Sequence, residues 1–207
     1  MDLLSREQRH RLESHLGPLV ERVLRGCGGA DAPPAVGGSR GPLVETIRQF
    51  VLDGGKRVRP QLCLWAYAHA RPDGGGIGRS GSDVGGPTAV PSPAAFPSAV
   101  LDVACAWELF HAFLLCHDDI IDRSDRRRGR PTLHHRLAGL DGGSVVFGAN
   151  LGIVAGDLLC VGSMRLLHEL DLTGTDGGPA LTAAAYQRLL KLFSRVACET
   201  GFGQAVD

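Results

Sequence analysis

The chain has 207 residues, which suits one domain, and its 22 basic and 22 acidic residues leave no formal net charge. That balance gives no electrostatic reason to expect nucleic acid or an anionic membrane surface as the partner. Hydrophobic residues make up 43% of the chain and aromatic residues only 5%, a composition that favours helices around an aliphatic core.

Targeting signals and metal-binding cysteines are not evident. The stretch MDLLSREQRHRLE at the N-terminus is too polar for a secretory signal peptide. No apolar run approaches the ~18 residues that a membrane-spanning helix needs, so we expect no membrane span. The six cysteines form no CxxC pair. We therefore expect reduced cysteines, no zinc site and a cytoplasmic protein.

Helical periodicity recurs in six segments of the chain. In chain order these are residues 3–24, 42–52, 60–70, 99–122, 144–170 and 180–200. The first contains Gly17-Pro18, where we expect a bend, and the next two begin with proline, which is favoured at helix starts. No segment alternates apolar and polar residues as a strand does. The pattern predicts an all-α fold, with residues 1–207 in a single domain.

Residues 72–98, PDGGGIGRSGSDVGGPTAVPSPAAFPS, separate the third and fourth helical segments. Loops of this length are uncommon inside a compact domain, and a domain boundary is one explanation. The segments on either side are too short to fold separately. We therefore expect a flexible Gly/Pro-rich insertion at the surface of one domain.

The fourth helical segment ends in the acidic sequence DDIID. At ~100° per residue, one face of this helix spans an arc of ~100° and holds most of its polar residues. Asp118 and Asp122 lie one turn apart on that face, so their carboxylates repel each other unless a cation lies between them. Mg²⁺ fits because it takes one or two carboxylates and completes its shell with water and phosphate oxygens. The alternative is a solvated acidic helix end. The face comprises Glu108, His111, Leu115, Asp118, Asp119 and Asp122.

Two basic segments flank this acidic face in the sequence. GGKRVRP, residues 54–60, combines a glycine turn with three bases at the start of a helix, and RRGRPT, residues 127–132, follows the aspartates. Backbone amides at a helix start and bidentate arginines both suit phosphate groups. Taken alone, KRVR is also consistent with a solvated surface turn.

The order GGKRVRP, DDIID, RRGRPT closely resembles that of the trans-isoprenyl diphosphate synthases, the polyprenyl synthetase family. VAGDLLCVG and GQAVD, residues 154–162 and 203–207, resemble two further segments of the family. The resemblance implies an isoprenoid synthase-type helical bundle around a central cavity, usually a homodimer. It also implies Mg²⁺-dependent condensation of an allylic diphosphate with isopentenyl diphosphate.

The same resemblance implies a role for each site residue. Asp118 and Asp122 would hold Mg²⁺ on the allylic diphosphate, with Asp119 in support, and Arg127 would contact that diphosphate. The isopentenyl diphosphate would be bound by Lys56, Arg59, His111 and Arg128, with Arg57 a weaker candidate. DDIID with Phe113 five residues before Asp118 resembles short-chain synthases that make C20 products such as geranylgeranyl diphosphate.

The resemblance also implies that the family fold continues beyond this chain. DDxxD occurs once, and no lysine follows Arg195, whereas the family has a second aspartate-rich motif and further lysines. We therefore expect a truncated N-terminal portion with exposed apolar surface on residues 144–200. The alternative to an active prenyltransferase is an inactive member or subunit that binds diphosphates or a partner synthase.

Other function classes fit the sequence less well. RGRP at 128–131 resembles a minor-groove DNA hook, but the aspartates before it would repel DNA phosphates. A terpene cyclase shares DDxxD but has no second diphosphate substrate to occupy the basic segments. Near the motifs, we expect His117, Trp65 and Trp107 to pack in the core, and His134 and His135 to be at the surface.

Overall fold

The computed structural model describes residues 6–26, 40–53, 55–69, 96–174 and 180–206. Within these ranges the chain forms seven α-helices, two strands of two residues each, and a 3-10 turn at Gly139–Asp141. The helices are α1 Arg6–Gly26, α2 Arg40–Leu52, α3 Val58–His69, α4 Ser98–Ile121, α5 Leu133–Ala138, α6 Val145–His168 and α7 Ala183–Val206. The strands, β1 Arg126–Arg127 and β2 Arg130–Pro131, pair as an antiparallel hairpin. The predicted all-α class is confirmed.

The six predicted helical segments correspond to α1–α4, α6 and α7. α1 continues as one helix through Pro18. α3 starts two residues before Pro60, so this proline lies in the first turn, where its missing N–H has no helical partner to lose. α5 was not predicted, because six residues are too few to show a helical period. The predicted insertion at 72–98 lies outside the described residues up to 95, and at its end Phe96 is buried and Ser98 begins α4.

α4 is the central helix. It packs against α3 on one side and α6 on another, and α1 contacts both α4 and α6. α7 joins through Phe193, a buried ring whose centroid lies 4.5 Å from that of Trp107 and 5.4 Å from that of Phe110. Burial of these aromatic and leucine side chains is the main favourable term holding the helices together.

Glycines let α6 approach its neighbours closely. A Cβ at Gly148 would lie 2.3 Å from the backbone oxygen of His134, and one at Gly156 would lie 2.5 Å from the ring of His117. Neither position has room for a methyl group. The N-terminus of α6 is fixed by Ser144, whose Oγ accepts a hydrogen bond from the Phe147 N–H at 3.2 Å. α6 therefore packs directly on α5 and on the acidic end of α4.

Three expectations about single residues need correction or qualification. His134 is buried, not at the surface, because α6 covers it at the glycine contacts. Trp65 is 40% exposed and so is not a core anchor. His117 packs between α4 and α6, with Nε2 3.2 Å from the backbone oxygen of Ile153, but it is only half-buried and is not the core residue that we expected.

Among the helices that the structure describes, α4 and α6 are long and apolar enough to cross a membrane by length and composition. The expectation of no membrane span stays a prediction, because length and composition alone do not test it. Core helices of globular proteins meet the same test, and half of the apolar window of α4 is buried inside this fold. The expected apolar surface on residues 144–200 is present, at Val145, Val146, Ile153, Val154, Val161, Met164 and Leu192.

Candidate active site

The acidic end of α4 keeps helical geometry through Asp122. The N–H of Asp122 donates to the backbone oxygen of Asp118 at 2.8 Å, the i to i−4 bond of a helix. Asp118 and Asp122 therefore leave the helix one turn apart on the same face. Asp122 is exposed, and the Asp118 side chain is 31% exposed. This pair is accessible to a cation and to the phosphate oxygens that would accompany it.

Asp119 is buried and holds Arg127. The Asp119 side chain is buried, and its two oxygens accept hydrogen bonds from Arg127 Nε at 2.9 and 3.0 Å. Arg127 Nη2 also reaches Asp118 Oδ2 at 3.3 Å. The hydrogen bond to Asp119 raises the pKa of Arg127, although burial opposes this shift. A cationic group is thus fixed beside the accessible carboxylates.

The helix α7 also reaches the acidic face. Gln204 Nε2 donates to Asp118 Oδ1 at 3.0 Å, across 86 residues of sequence. Both oxygens of Asp118 therefore have donors, Gln204 on one and Arg127 on the other.

The RRGRPT segment forms the β1–β2 hairpin. Its two turn residues, Arg128 and Gly129, have φ angles of +53° and +79°, and a type I′ turn requires positive φ at both central positions. Thr132 Oγ1 donates to the backbone oxygen of Ser124 at 3.0 Å and closes the base of the loop. The hairpin holds Arg127 and Arg128 in fixed directions next to the aspartates.

Asp53 anchors this hairpin to the end of α2. Its carboxylate accepts hydrogen bonds from Arg130 and Arg136, which come from β2 and α5. Burial raises the pKa of Asp53, but the two arginines outweigh burial and lower it. This ion-pair cluster joins segments that lie about 80 residues apart, since the two contacts span 77 and 83 residues.

The GGKRVRP segment enters α3 through a tight turn at Arg57. Arg57 has a φ of +46°, which is uncommon for a residue other than glycine. Its guanidinium group is buried, and Nη1 donates to Glu108 Oε1 at 2.6 Å. Lys56 and Arg59, on either side, are exposed. Gly55 lies against Arg128, because a Cβ there would be 2.6 Å from Arg128 Nη1.

A pocket forms where these segments meet beside the acidic face. Burial, followed by the charges of Arg59, Arg128, Arg127 and Arg57, lowers the pKa of His111 to about 4. The pocket wall is therefore cationic around a neutral imidazole at neutral pH. It is lined by Phe50, Val51, Asp53, Arg57, Glu108, His111, Ala112, Leu115, Arg127, Arg128, Arg130, Pro131 and Arg136.

Known proteins are similar to this chain over most of its length. A family model described as polyprenyl synthetase matches residues 41–207. The chain belongs to the polyprenyl synthetase family. The resemblance inferred from GGKRVRP, DDIID and RRGRPT is confirmed.

Relatives of this polyprenyl synthetase chain are isoprenyl diphosphate synthases. A short chain isoprenyl diphosphate synthase from Methanocaldococcus jannaschii is 30% identical over 80% of this chain and 37% of that protein. A farnesyl diphosphate synthase from Geobacillus stearothermophilus is 31% identical over 97% of this chain and 51% of that protein.

Solved structures share the fold. A geranylgeranyl pyrophosphate synthase from Corynebacterium glutamicum, complexed with isoprenyl diphosphate and magnesium, is 28% identical with a TM-score of 0.55. The match covers 82% of this chain and 43% of that one. The chain spans between about a third and a half of the length of the curated relatives described above.

The structure brings most of the sequence-predicted site residues together. His111, Arg57, Arg127 and Arg128 line one pocket. Lys56 and Arg59 are exposed and lie outside that lining, although the charge of Arg59 acts on His111. Asp119 is buried in its pairing with Arg127 and so is less accessible than Asp118 and Asp122.

Sequence reasoning missed the part that two acidic residues play in the pocket. Asp53 precedes the GGKR turn, and Glu108 lies among mostly apolar residues in the middle of α4. The sequence places Glu108 on the polar face of α4 but indicates no role for it. For Glu108, the signal in the sequence was an acid among the apolar residues of a helix. Such a charge, once buried, needs a partner of opposite charge.

The donor set of the acidic face fits Mg²⁺. Among the described residues no group of three or more His, Cys, Asp and Glu side chains could hold a metal ion. Mg²⁺ does not require such a group, since one or two carboxylates suffice when substrate phosphates supply further oxygens. Asp118 and Asp122 are hard oxygen donors on one accessible face and meet this requirement.

Proposed function

We propose that this chain is part of a prenyltransferase that condenses an allylic diphosphate with isopentenyl diphosphate. The observation that carries the proposal is the juxtaposition of two sites of opposite charge. Asp118 and Asp122 form an accessible acidic face, and a pocket lined by arginines lies beside it. Two anionic substrates can occupy adjacent positions only if each is neutralised, one through a metal and the other by bases.

The acidic face suits the allylic substrate. Mg²⁺ bound at Asp118 and Asp122 would withdraw charge from the allylic diphosphate as it leaves. Arg127 already lies 3.3 Å from Asp118, so its guanidinium group is close enough to share a phosphate oxygen there. The isoprenyl diphosphate and magnesium in the Corynebacterium glutamicum synthase structure support this assignment.

The basic pocket suits the second substrate. Arg128 points from the hairpin and His111 from α4, while Lys56 and Arg59 stand at the start of α3. One guanidinium group can donate two parallel hydrogen bonds to the oxygens of a phosphate, and the start of a helix adds backbone N–H donors. A neutral His111 donates a hydrogen bond without adding charge.

For the product, we propose a short chain, C20 in length. The ring of Phe113 stands one turn below the aspartates and packs against His117 and Phe110, with centroid distances of 4.8 and 5.5 Å. A growing apolar chain that runs from the aspartates along α4 would meet this aromatic cluster. Geranylgeranyl synthases among the relatives support the same length.

Calorimetry of the purified chain with an allylic diphosphate, with and without Mg²⁺, tests the proposal. Asp118→Ala is expected to abolish the Mg²⁺-dependent part of the affinity while the thermal unfolding midpoint changes little, because Asp118 is partly exposed. Asp125→Ala, in the same acidic run but away from the face of Asp118 and Asp122, is the matched control and is expected to bind like the parent chain. Unchanged affinity and Mg²⁺ dependence in Asp118→Ala would refute the metal assignment.

Turnover is tested by incubating the chain with Mg²⁺, labelled isopentenyl diphosphate and each allylic primer, and then sizing the products. Product formation by the 207-residue chain supports the prenyltransferase. Diphosphate binding without turnover would instead favour the alternative of a binding subunit.

A further inference from the structure

Glu108 is a carboxylate with little access to solvent. It is 7% exposed on a helix whose other buried residues are mostly apolar, and its Oε1 accepts the hydrogen bond from Arg57 at 2.6 Å. Arg57 is itself 4% exposed and lies 51 residues earlier in the chain. Two buried charges that pair across such a distance fix the position of one segment relative to the other.

Arg57 has two energetically unfavourable features. Its backbone φ of +46° lies in the left-handed region, which residues with a Cβ rarely adopt. Its Nε–H is buried and has no hydrogen-bond partner within the part of the chain that the structure describes. Such conformations persist only where surrounding contacts hold them, and they cluster at functional sites. Here the holding contacts are Glu108 and the backbone oxygen of Leu52, at 3.3 Å from Arg57 Nη2.

The orientation of Arg57 sets the directions of its neighbours. The backbone oxygen of Arg57 accepts from the Gln61 N–H at 3.0 Å, which starts α3, and the side chain of Gln61 donates to the backbone oxygen of Lys56. Arg57 points inwards to Glu108, while Lys56 and Arg59 are exposed. If Arg57 lost its anchor, the turn that carries both neighbours would lose its fixed geometry.

We propose that Glu108 is a positioning residue of the diphosphate pocket. It holds Arg57, and through Arg57 it fixes the turn that presents Lys56 and Arg59 to a diphosphate. Arg57 then serves as a strut within the protein and not as a ligand of the substrate. This inference rests on the proposed function, because it assumes that the pocket binds the diphosphate of isopentenyl diphosphate.

Charge and position make opposite predictions for Glu108. The carboxylate lines the same pocket as the arginines, so by charge alone its removal should strengthen binding of an anion. If Glu108 acts by position, its removal weakens binding instead. Calorimetry of Glu108→Gln with isopentenyl diphosphate, without Mg²⁺, separates the two. We expect a Kd at least tenfold higher than that of the parent chain, and an equal or lower Kd would overturn the inference.

A double-mutant cycle tests whether Arg57 is the strut. Arg57→Met removes the partner of Glu108, so its Kd is expected to match that of Glu108→Gln. The double variant is expected to be no weaker than either single variant, since both changes release the same turn. Arg57→Lys keeps a cation for Glu108 but not the second contact to the Leu52 oxygen, and is expected to recover only part of the affinity that Arg57→Met loses. Additive losses in the double variant would show that Arg57 binds the diphosphate itself and would overturn the strut.

Control measurements separate positioning from unfolding and from failure of the proposed function. The Kd of Glu108→Gln for an allylic diphosphate in the presence of Mg²⁺ is expected to stay within threefold of the parent value. A variant that does not fold would lose binding of both the allylic diphosphate and isopentenyl diphosphate. If Glu108→Gln does not fold, Glu108→Asp takes its place, because it keeps the charge but withdraws the carboxylate from Arg57. Glu108→Asp is expected to weaken binding, and unchanged affinity would overturn the inference. A parent chain that binds no isopentenyl diphosphate would refute the proposed function itself.

Discussion

Gly55→Ala tests the contact between the two basic segments. A Cβ at position 55 would lie 2.6 Å from Nη1, 2.9 Å from Nη2 and 3.1 Å from Cζ of Arg128. Non-bonded heavy atoms are most favourable at ~3.5–4.0 Å, so the guanidinium group must retreat by about 1 Å. Arg128 is exposed, and the clashing atoms are at the end of a flexible side chain. The substitution therefore moves Arg128, the proposed phosphate donor, without disturbing the core.

The expected size of each effect follows from this geometry. The φ of Gly55 is not in the left-handed region, so alanine adds no backbone strain. Replacing glycine lowers the entropy of the unfolded chain and thereby stabilises the folded state by ~0.4–1 kcal/mol. We expect the free energy of unfolding to change by less than ~1 kcal/mol. A lost hydrogen bond to a charged group costs ~1.5–3 kcal/mol, and each ~1.4 kcal/mol is tenfold in affinity. Binding of isopentenyl diphosphate should therefore weaken by roughly 10- to 100-fold.

Calorimetry without Mg²⁺ measures this affinity, and urea denaturation measures the stability. Gly139→Ala is the matched control, because a Cβ at Gly139 meets nothing within 4 Å. It is expected to bind like the parent chain. Parental affinity in Gly55→Ala would refute the reasoning, since Arg128 could then move without consequence for the ligand. A loss of stability above ~2 kcal/mol would refute it as well, because the clash would not have been relieved by the side chain alone.

Three further predictions concern the packing, the pocket and the product. Gly148→Ala should destabilise the fold by about 2 kcal/mol or more in urea denaturation, because its Cβ would meet the backbone of His134 and Ala138. Gly203→Ala is the control, because a Cβ there meets nothing within 4 Å, and it should stabilise the fold by ~0.5–1 kcal/mol. His111 has its folded pKa lowered to about 4 from 6.5, so the unfolded chain binds more protons between these values and stability falls as the pH drops through this window. The free energy of unfolding of His111→Gln should therefore vary less with pH than that of the parent chain, by at most about 3 kcal/mol. Identical stability profiles of the two proteins would contradict a buried neutral imidazole. Phe113→Ala should lengthen the products of an active synthase beyond C20, and an unchanged size distribution would count against the chain-length role.

The sequence alone determined the features that depend on local order along the chain. Helical periodicity located α1–α4, α6 and α7, because a buried helix face repeats every three to four residues. The one-turn spacing of Asp118 and Asp122 already placed both carboxylates on one face, since helix geometry fixes that relation without any tertiary contact. The motifs in their order were enough to identify the family.

Only the tertiary structure decided how the charged residues pair. Asp53 with Arg130 and Arg136, and Glu108 with Arg57, join residues 51 to 83 positions apart, and no local pattern specifies such partners. The burial of His134 likewise depends on a glycine of α6 that reaches α5 from elsewhere in the chain. An arginine that pairs with a buried acid holds the fold, whereas an arginine without such a partner is available to substrate. Which arginines find a partner depends on how the helices pack.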